Sequence, residues 1–422
     1  MSEALAVIIL AAGKGTRMKS DLPKVMHKVA GRTMLGHVIG VARELNPQKI
    51  IVVVSPDSQQ IVKESKGCLI AIQQEQLGTG DAVKAATELL KDFEGNILIL
   101  YGDSPLITSA SLAKLLEKPL KNEIRIFGFE ASNPAKYGRL ITSKNTVREV
   151  IEFKDANEIQ KKITLCNSGI YYLPCPLLVK LITQIRNDNS QKEYYLTDLI
   201  KIGWKNAVET SYLPIHENEI SGVNDKIELA RAEGVMQKRL HKKALEDGVT
   251  LLCSATIFMS VDTKFGRDVT IRQHVVIGEN VTIGDNVTIG PFAHIRPDTV
   301  ISNNVSVGNF VEIKKSNIGE GSKINHLSYI GDSTLGTNVN IGAGTITCNY
   351  DGFDKYETHI GDNVFVGSNS ALIAPVKLGD NAMIAAGSVI SKDVAPGALG
   401  IARSLQKNLA DWAMRFRKNK KK

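Results

Sequence analysis

The sequence has no uninterrupted apolar run near the ~20 residues that a membrane-spanning helix needs, which argues against insertion into a bilayer. It also shows no secretory leader, because the apolar stretch LAVIIL (5–10) runs straight into a glycine-rich loop instead of a cleavage site. Paired cysteines are missing too. The five present (Cys68, Cys166, Cys175, Cys253, Cys348) are scattered without a CxxC, which fits a reduced cytoplasm better than a disulfide framework. No nucleic-acid-binding motif is found. The formal charge of +8 suits anionic ligands such as phosphates, and the basic tail RFRKNKKK (415–422) reads as a solvated terminus, not a nucleic-acid arm. What remains is an ordinary soluble composition, 43% hydrophobic and 23% charged over 422 residues, a length that favours two or three domains.

The strongest positive signal is a six-residue beat in the C-terminal third. An aliphatic residue recurs at Ile277, Ile283, Ile289, Ile295, Ile301, Val307 and Ile313. One-residue slips precede Ile318, Ile324 and Ile330, and again Leu335 and Ile341. After a gap the beat resumes at Ile360, Val366, Leu372, Leu378, Ile384 and Ile390. A period of six fits neither a helix nor a flat strand, but it fits a parallel β-helix. Three hexads make one triangular coil, the aliphatic residue points to the axis, and Gly or Asn takes the corner that needs φ > 0.

The N-terminal half reads differently. Short apolar strands at 5–10, 49–54, 69–72, 96–101 and 124–129 alternate with helical patterns near 34–45, 80–91 and 109–117. That alternation predicts a doubly wound α/β domain with a mostly parallel sheet, whose ligands bind beyond the carboxyl ends of the strands. LAAGKGTRM (10–18) and YGDSPL (101–106) both fall there. Gly13 and Gly15 let backbone N–H groups approach a phosphate, and Lys14, Arg17 and Lys24 add positive charge. The loop has neither the Walker A spacing nor the dinucleotide GxGxxG, so a plain strand-to-helix turn stays open beside the phosphate reading. For Asp103 a helix N-cap competes with a metal ligand. Between the halves, 225–247 forms one amphipathic helix with an apolar stripe of Leu229, Ala232, Met236, Leu240 and Ala244, ended by Gly248. The expected domains are therefore 1–224, a connector 225–248, and 249–422, with the coils starting near Phe265.

LAAGKGTRM followed by LPK (22–24) resembles the signature loop of the sugar-phosphate nucleotidylyltransferases. With QEQLGTG (74–80), YGDSPL, YGR (137–139), NSGIY (167–171) and GVN (222–224), the whole chain resembles one bacterial family. That family is bifunctional, joining N-acetylglucosamine-1-phosphate uridylyltransferase to glucosamine-1-phosphate acetyltransferase. The resemblance implies that Leu10, Ala11, Ala12 and Gly13, with Gln73, Gly78, Thr79, Tyr101 and Gly102, hold the uridine nucleotide. Asp103 and Asn224 would bind Mg²⁺, Gly138, Glu152 and Asn167 the amino sugar, and Arg17 and Lys24 the reacting phosphates. The implied reaction is in-line attack of the sugar 1-phosphate on the α-phosphorus of UTP, without a covalent enzyme intermediate.

Where the hexads break, at VGNFVEIKK (307–315), INHLSYIGD (324–332) and GAGTITCNYDGFDKYETH (342–359), the same resemblance implies an acetyl-CoA-dependent N-acetyltransferase. His326 would be the general base. Arg296 and Lys314 would grip the sugar phosphate, with Tyr329, Asn340, Asn349 and Tyr350 completing the pocket. Ala343 and Ser368 would lie by the thioester, and Ala386 and Arg403 on coenzyme A, with Asn349 and Tyr350 also near acetyl-CoA. Such sites lie between subunits, so a homotrimer is implied. Only about four hexads precede IGPFAHIRP (289–297), one to two coils fewer than the family usually has. Two competing readings are weaker. The β-helix could be only a scaffold, which the intact His326 and Lys314 argue against. A metalloprotein using His274, His294 and His326 lacks the close histidine spacing it needs.

Overall fold

The structure is a computed structural model that describes residues 4–117, 120–134, 137–144 and 146–420, and the chain divides into two compact units at Arg239/Leu240. Lys421 and Lys422 of the expected basic tail lie outside the described residues.

The first unit begins β1 (Leu5–Leu10), α1 (Met34–Glu44), β2 (Lys49–Val54), α2 (Gln59–Glu64), β3 (Leu69–Ile72), α3 (Thr79–Thr87), β4 (Asn96–Tyr101), α4 (Ser109–Leu116) and β5 (Glu123–Glu130). It continues β6 (Arg139–Ser143), β7 (Thr146–Ile151), β8 (Leu165–Pro174), α5 (Cys175–Ile182), α6 (Asp198–Lys205) and β9 (Glu209–Pro214). These strands form a nine-stranded sheet ordered β3-β2-β1-β4-β8-β5-β9-β7-β6. Helices cover both faces, so β1 and β4 bury side chains on each side: Ala6, Val7, Ile8, Ile9, Ile97, Leu98 and Ile99 are all 0% exposed. Continuous apolar runs are what two-sided burial demands. β1, β2, β3 and β4 are parallel, as the strand–helix alternation predicts. The far half departs from it. β8 runs antiparallel to both β4 and β5, and β6–β7 is a hairpin at the edge. β8 escaped prediction because its register shifts between Asn167 and Tyr171, in the polar NSG stretch that reads as a loop.

The helix α7 (Lys226–Glu246) runs across the unit boundary. In the second unit its last turn buries Ala244 and packs Leu240 against the β-helix core, and His241 Nε2 meets the Ile257 carbonyl at 2.8 Å. Gly248, at φ 91°, then turns the chain into the first coil.

The second unit is a parallel β-helix with three faces of nine, eight and seven strands. Every aliphatic residue of the hexad series, from Ile277 to Ile390, is at most 5% exposed. Valines two positions earlier, such as Val269, Val275, Val281 and Val287, fill the same axis at 0%. Corners are left-handed and held by short polar residues, among them Asn280, Asn286, Asn304, Asn338, Asn363 and Asn381. Their side chains tolerate φ > 0 and bond locally. The coils start at Thr250–Leu251, which pair with Thr270–Ile271, two strands before the Phe265 strand. Six strands, not about four, therefore precede Ile289 and the following IGPFA corner. The start was hidden because the Ser254–Thr256 turn stretches the first interval and the inward residues are Leu251, Met259 and Phe265, not isoleucine.

Candidate active sites

In the α/β unit the loop after β1 is pinned from two sides. The amide N–H of Ala11 donates to the Val53 carbonyl at 2.9 Å, and Gly102 N–H donates to the Leu10 carbonyl at 2.9 Å. Gln76 Nε2 donates to the Ala12 carbonyl at 2.5 Å. Gly13 and Gly15 lead into a tight turn at Thr16–Met18, with Gly15 at φ 62°. A side chain at Gly15 would place its Cβ 2.5 Å from the Cβ of Lys24. Only glycine lets the two loop segments approach so closely.

Four charged or polar groups from distant segments then converge. Lys24 Nζ is ion-paired with Asp103 Oδ2 and donates to Asn224 Oδ1 at 3.2 Å, and Arg17 donates to the same Asn224 oxygen at 3.0 Å. The Val223 N–H donates to the Asp103 carbonyl at 2.9 Å, and the Asn224 N–H to Glu228 Oε2 at 2.8 Å, which fixes the GVN turn against the Asp103 turn. One oxygen of Asp103 and one of Asn224 thus address a single cationic point. This arrangement fits a hard divalent cation, whose ligands are such oxygens. The helix N-cap alternative for Asp103 finds no support: α4 is capped by Thr108, whose side chain accepts from Ser111 N.

The residues expected to hold nucleotide and sugar line the neighbouring strand ends. Gln73 is buried and donates to the Gly78 carbonyl at 3.0 Å and to Asp81 at 2.7 Å, while Thr79 Oγ1 accepts from Leu196 N at 3.0 Å. Gly78 sits at φ 115°, where a side chain would strike the backbone of Tyr194 at 2.6 Å. Tyr101 closes β4 under Gly169, and its hydroxyl lies by Thr79 and Glu152. Burial first, and the Glu152 carboxylate second, hold that phenol far above its usual range. Glu152 itself is pushed up by burial, against one hydrogen bond from Thr197 Oγ1 at 3.1 Å. A Cβ on Gly138 would lie 2.9 Å from Val150 and 3.4 Å from Glu152 Oε1. Asn167 N–H donates to the Gly138 carbonyl at 2.8 Å and its Nδ2 to Tyr171 at 3.1 Å. Its Oδ1 is buried without a donor. Native proteins rarely leave such an acceptor unmet, so a donor from water or a ligand fits there.

On the β-helix, five of the expected residues, His326, Ala343, Ser368, Ala386 and Arg403, climb one corner between the first and second faces. Asn309 and His326 are register partners, and His326 Nδ1 meets Asn309 Oδ1 at 3.2 Å. The His326 carbonyl accepts from Gly344 N at 3.4 Å, the Ala343 carbonyl from Asn369 N at 2.8 Å, and the Ser368 carbonyl from Gly387 N at 2.8 Å. Arg403 caps the column by donating to the Ala386 carbonyl at 2.7 Å. Ala343, Ser368, Ala386 and Arg403 thus stack coil over coil beyond His326.

The pair expected to grip the sugar phosphate lies at the other end of the second face. Arg296 N–H donates to the Ile313 carbonyl, so Arg296 and Lys314 are stacked one coil apart, and Lys314 pairs in register with Gly331. Arg296 bonds Glu312 at 2.8 Å. Tyr329 lies between the two groups, with its hydroxyl against Gly331. Asn349 donates to the buried Asp332, which also faces Lys314 at 3.4 Å. Two expected residues stand apart in the single chain. Asn340 points out of the first face between Lys323 and Phe365, and Tyr350 is exposed on the inserted loop with its hydroxyl on the Gly352 carbonyl. Sequence reasoning missed Asn309 and Asp332, because GNF and IGD read as ordinary corners. Their signal is register, which only the coil pairing reveals. His274 stacks on Phe292 with ring centroids 4.6 Å apart, and among the described residues no three His, Cys, Asp or Glu side chains group as a metal site.

Comparison with known proteins agrees with this geometry. Residues 7–160 match the MobA-like NTP transferase domain, and residues 280–315 and 357–392 match the bacterial transferase hexapeptide family (six repeats). The fold is thus a nucleotidyltransferase domain followed by a left-handed parallel β-helix of hexapeptide repeats, and the chain is a transferase with a nucleotidyl-transferring and an acyl-transferring half. A relative from Paramagnetospirillum magneticum, named bifunctional protein GlmU, is 46% identical over 436 residues, covering 99% of this chain and 97% of its own. Others of that name from Zymomonas mobilis and Rhodospirillum rubrum are 42% and 44% identical, each over at least 97% of both chains. The chain belongs to the bifunctional GlmU family.

Proposed function

We propose that this enzyme makes UDP-N-acetylglucosamine, a precursor of peptidoglycan and lipopolysaccharide, in two steps. The β-helix acetylates glucosamine 1-phosphate from acetyl-CoA. The α/β unit then transfers UMP from UTP to N-acetylglucosamine 1-phosphate and releases pyrophosphate. The observation that carries this reading is the assembly of the expected residues into groups. Arg17, Lys24, Asp103 and Asn224 meet at one point, and His326 begins a column that ends at Arg403.

In uridylyl transfer Leu10 to Gly13, Gln73, Gly78, Thr79, Tyr101 and Gly102 position the nucleotide, and Gly138, Glu152 and Asn167 the sugar. Arg17 and Lys24 neutralise charge on the phosphates as the sugar phosphate oxygen attacks and pyrophosphate leaves. Asp103 and Asn224 would hold Mg²⁺, which when bound supplies further neutralisation at the triphosphate. For Lys24 this means giving up its two oxygen partners and turning its ammonium to the phosphates.

In acetyl transfer the sugar amine attacks the thioester carbonyl carbon. A C–N bond forms, the C–S bond breaks, and the amine proton passes to His326. Asn309 Oδ1 can only accept, so it keeps the proton of the free ring on Nδ1 and leaves Nε2 as the base. The backbone N–H of Ala343 and the Ser368 side chain serve the thioester, where negative charge develops on oxygen. The separation of Asn340 and Tyr350 from the second-face cluster supports a homotrimer, in which neighbouring chains complete each site. The nucleotide and acyl-CoA substrates support a cytoplasmic location. No helix among the described residues is long and apolar enough to cross a membrane.

The test is thiol release from acetyl-CoA on adding glucosamine 1-phosphate, paired with pyrophosphate release from UTP and N-acetylglucosamine 1-phosphate. Both activities in one preparation are expected. Pyrophosphate without thiol would reduce the β-helix to a scaffold.

A further inference from the structure

Asp332 has no part in either proposed reaction, yet its carboxylate is almost wholly buried within the β-helix site. It follows β-strand residues 329–331, occupies a left-handed corner at φ 47°, and is only 5% exposed. Burying a carboxylate is expensive unless charge and hydrogen bonds compensate it. Here the compensation comes from residues of the acetyl-transfer site itself. Oδ2 faces Lys314 Nζ at 3.4 Å and accepts from Asn349 Nδ2, and Oδ1 lies 3.8 Å from Lys315 Nζ. Lys355, from the inserted loop, adjoins the same group: a hydrogen bond with Lys314, and then that residue's charge, lower its amine, while Asp332 opposes the shift.

The arrangement differs from the one a coil earlier. Arg296 and Glu312 also pair, but both side chains are more than a third exposed. A solvated pair of that kind contributes little and constrains little. Lys314 is 19% exposed and its partner 4%, so its ammonium is held from the protein side. Asn349 is constrained in a second way. A carboxylate only accepts, so the Asn349 amide must present its nitrogen to Asp332. Its oxygen is then the atom left for a ligand N–H or O–H.

We propose that Asp332 is a positioning residue of the acetyl-transfer site: its carboxylate orients Lys314 toward the phosphate of the phosphorylated amino sugar and sets the Asn349 amide so that its oxygen meets the sugar. The inference rests on the acetyltransferase reading given above. It extends that reading to a group that touches no substrate and acts through two that do.

Asp332→Asn is the decisive variant, because asparagine already occupies many left-handed corners of this β-helix, including Asn338 and Asn363. The fold therefore tolerates it. Its neutral amide removes the negative charge that holds the Lys314 ammonium, and the nitrogen that replaces one carboxylate oxygen repels whichever donor it meets, Lys315 on the Oδ1 side or Lys314 and Asn349 on the Oδ2 side. Full-length wild type and Asp332→Asn are compared by thiol release from acetyl-CoA across a range of glucosamine 1-phosphate. The expected result is a KM for the amino sugar raised about tenfold, the change that follows from losing one charge-assisted contact. Pyrophosphate release and the melting temperature stay at wild-type values, and the KM for acetyl-CoA, which Asn349 also adjoins, rises less than that for the amino sugar. An amino-sugar KM that is unchanged or lowered overturns the proposal, the lowered value meaning that Asp332 merely repels phosphate. A parallel rise in both KM values, or a lower melting temperature, also overturns it by showing a structural role only. If wild type itself releases no thiol, the acetyltransferase reading fails and the inference falls with it. A failure of the inference alone shows in the variant only.

Discussion

Lys24 and Asp103, 79 residues apart in sequence, form an ion pair in which both side chains are about 15% exposed, and the same ammonium reaches Asn224. A lysine standing between two oxygens that suit a divalent cation makes the α/β site internally compensated while empty of phosphate. In the proposed reaction, binding nucleotide with Mg²⁺ would exchange one set of charge partners for another instead of creating bare charge.

Removing either partner should therefore separate the two activities. Asp103→Ala and Lys24→Met are each expected to lower pyrophosphate release by about a hundredfold or more, the usual cost of losing an electrostatic clamp on a transferring phosphoryl group. Thiol release should be unchanged. Chelation of divalent ions should reproduce this pattern on the wild type and be reversed by Mg²⁺. Equal loss of both activities in a folded variant would refute the assignment of two independent sites.

Gly15 tests the loop more narrowly. At φ 62°, with a Cβ position 2.5 Å from Lys24 Cβ, Gly15→Ala meets both a backbone penalty of about 1–2 kcal/mol and a clash. The relief of that clash is to push Lys24 outward, away from Asp103. A raised KM for UTP and a lower melting temperature for the α/β unit are expected from steady-state kinetics and calorimetry, with acetyl transfer intact.

On the β-helix, His326→Ala should reduce thiol release by roughly 10²- to 10⁴-fold, the range for loss of a general base, and leave uridylyl transfer alone. Asn309→Ala should cost less, about tenfold, because the base survives but its tautomer is no longer set. An Asn309→Ala variant with wild-type rates would show that the 3.2 Å contact does not matter to the reaction.

How much of this could be read before the coordinates follows from what local sequence encodes. The hexad beat specified the axial core because inward aliphatics are a strictly local property of each turn, and Ile289, Ile295 and Ile313 are 0% exposed. The phosphate loop was legible for the same reason, as a run of glycines and cations after one buried strand. Two kinds of feature were not. β8 lies antiparallel between β4 and β5, and no short-range pattern announces which strand a long segment will join. The Asn309–His326 pairing depends on one coil being 17 residues long, because of the slip after Ile313, where regular coils are 18. A residue such as Asp332 looks like any other corner until that register places Lys314 and Asn349 around it.

Glu152 offers a prediction in which stability and activity move in opposite directions. Burial raises its pKa above the ordinary 4.5, and neighbouring Asp155 and Asp198 add to the rise, against the Thr197 hydrogen bond and the more distant Arg139. The folded unit therefore binds the proton more tightly than the unfolded chain does. That stabilisation is complete below 4.5 and is lost as pH climbs through the raised value, so at neutral pH the ionised carboxylate destabilises the fold. Glu152→Gln should raise the melting temperature at neutral and mildly alkaline pH, with the gain vanishing in acid, where wild type is already protonated. In the proposed role the carboxylate is kept at this cost to accept from the sugar. Its replacement by a neutral acceptor should raise the KM for N-acetylglucosamine 1-phosphate roughly ten- to a hundredfold, the value of a hydrogen bond to a charged group. Melting curves across pH, run beside pyrophosphate release, decide the matter. A Glu152→Gln protein that is less stable at mildly alkaline pH would mean that the carboxylate serves Thr197 and the fold rather than the substrate.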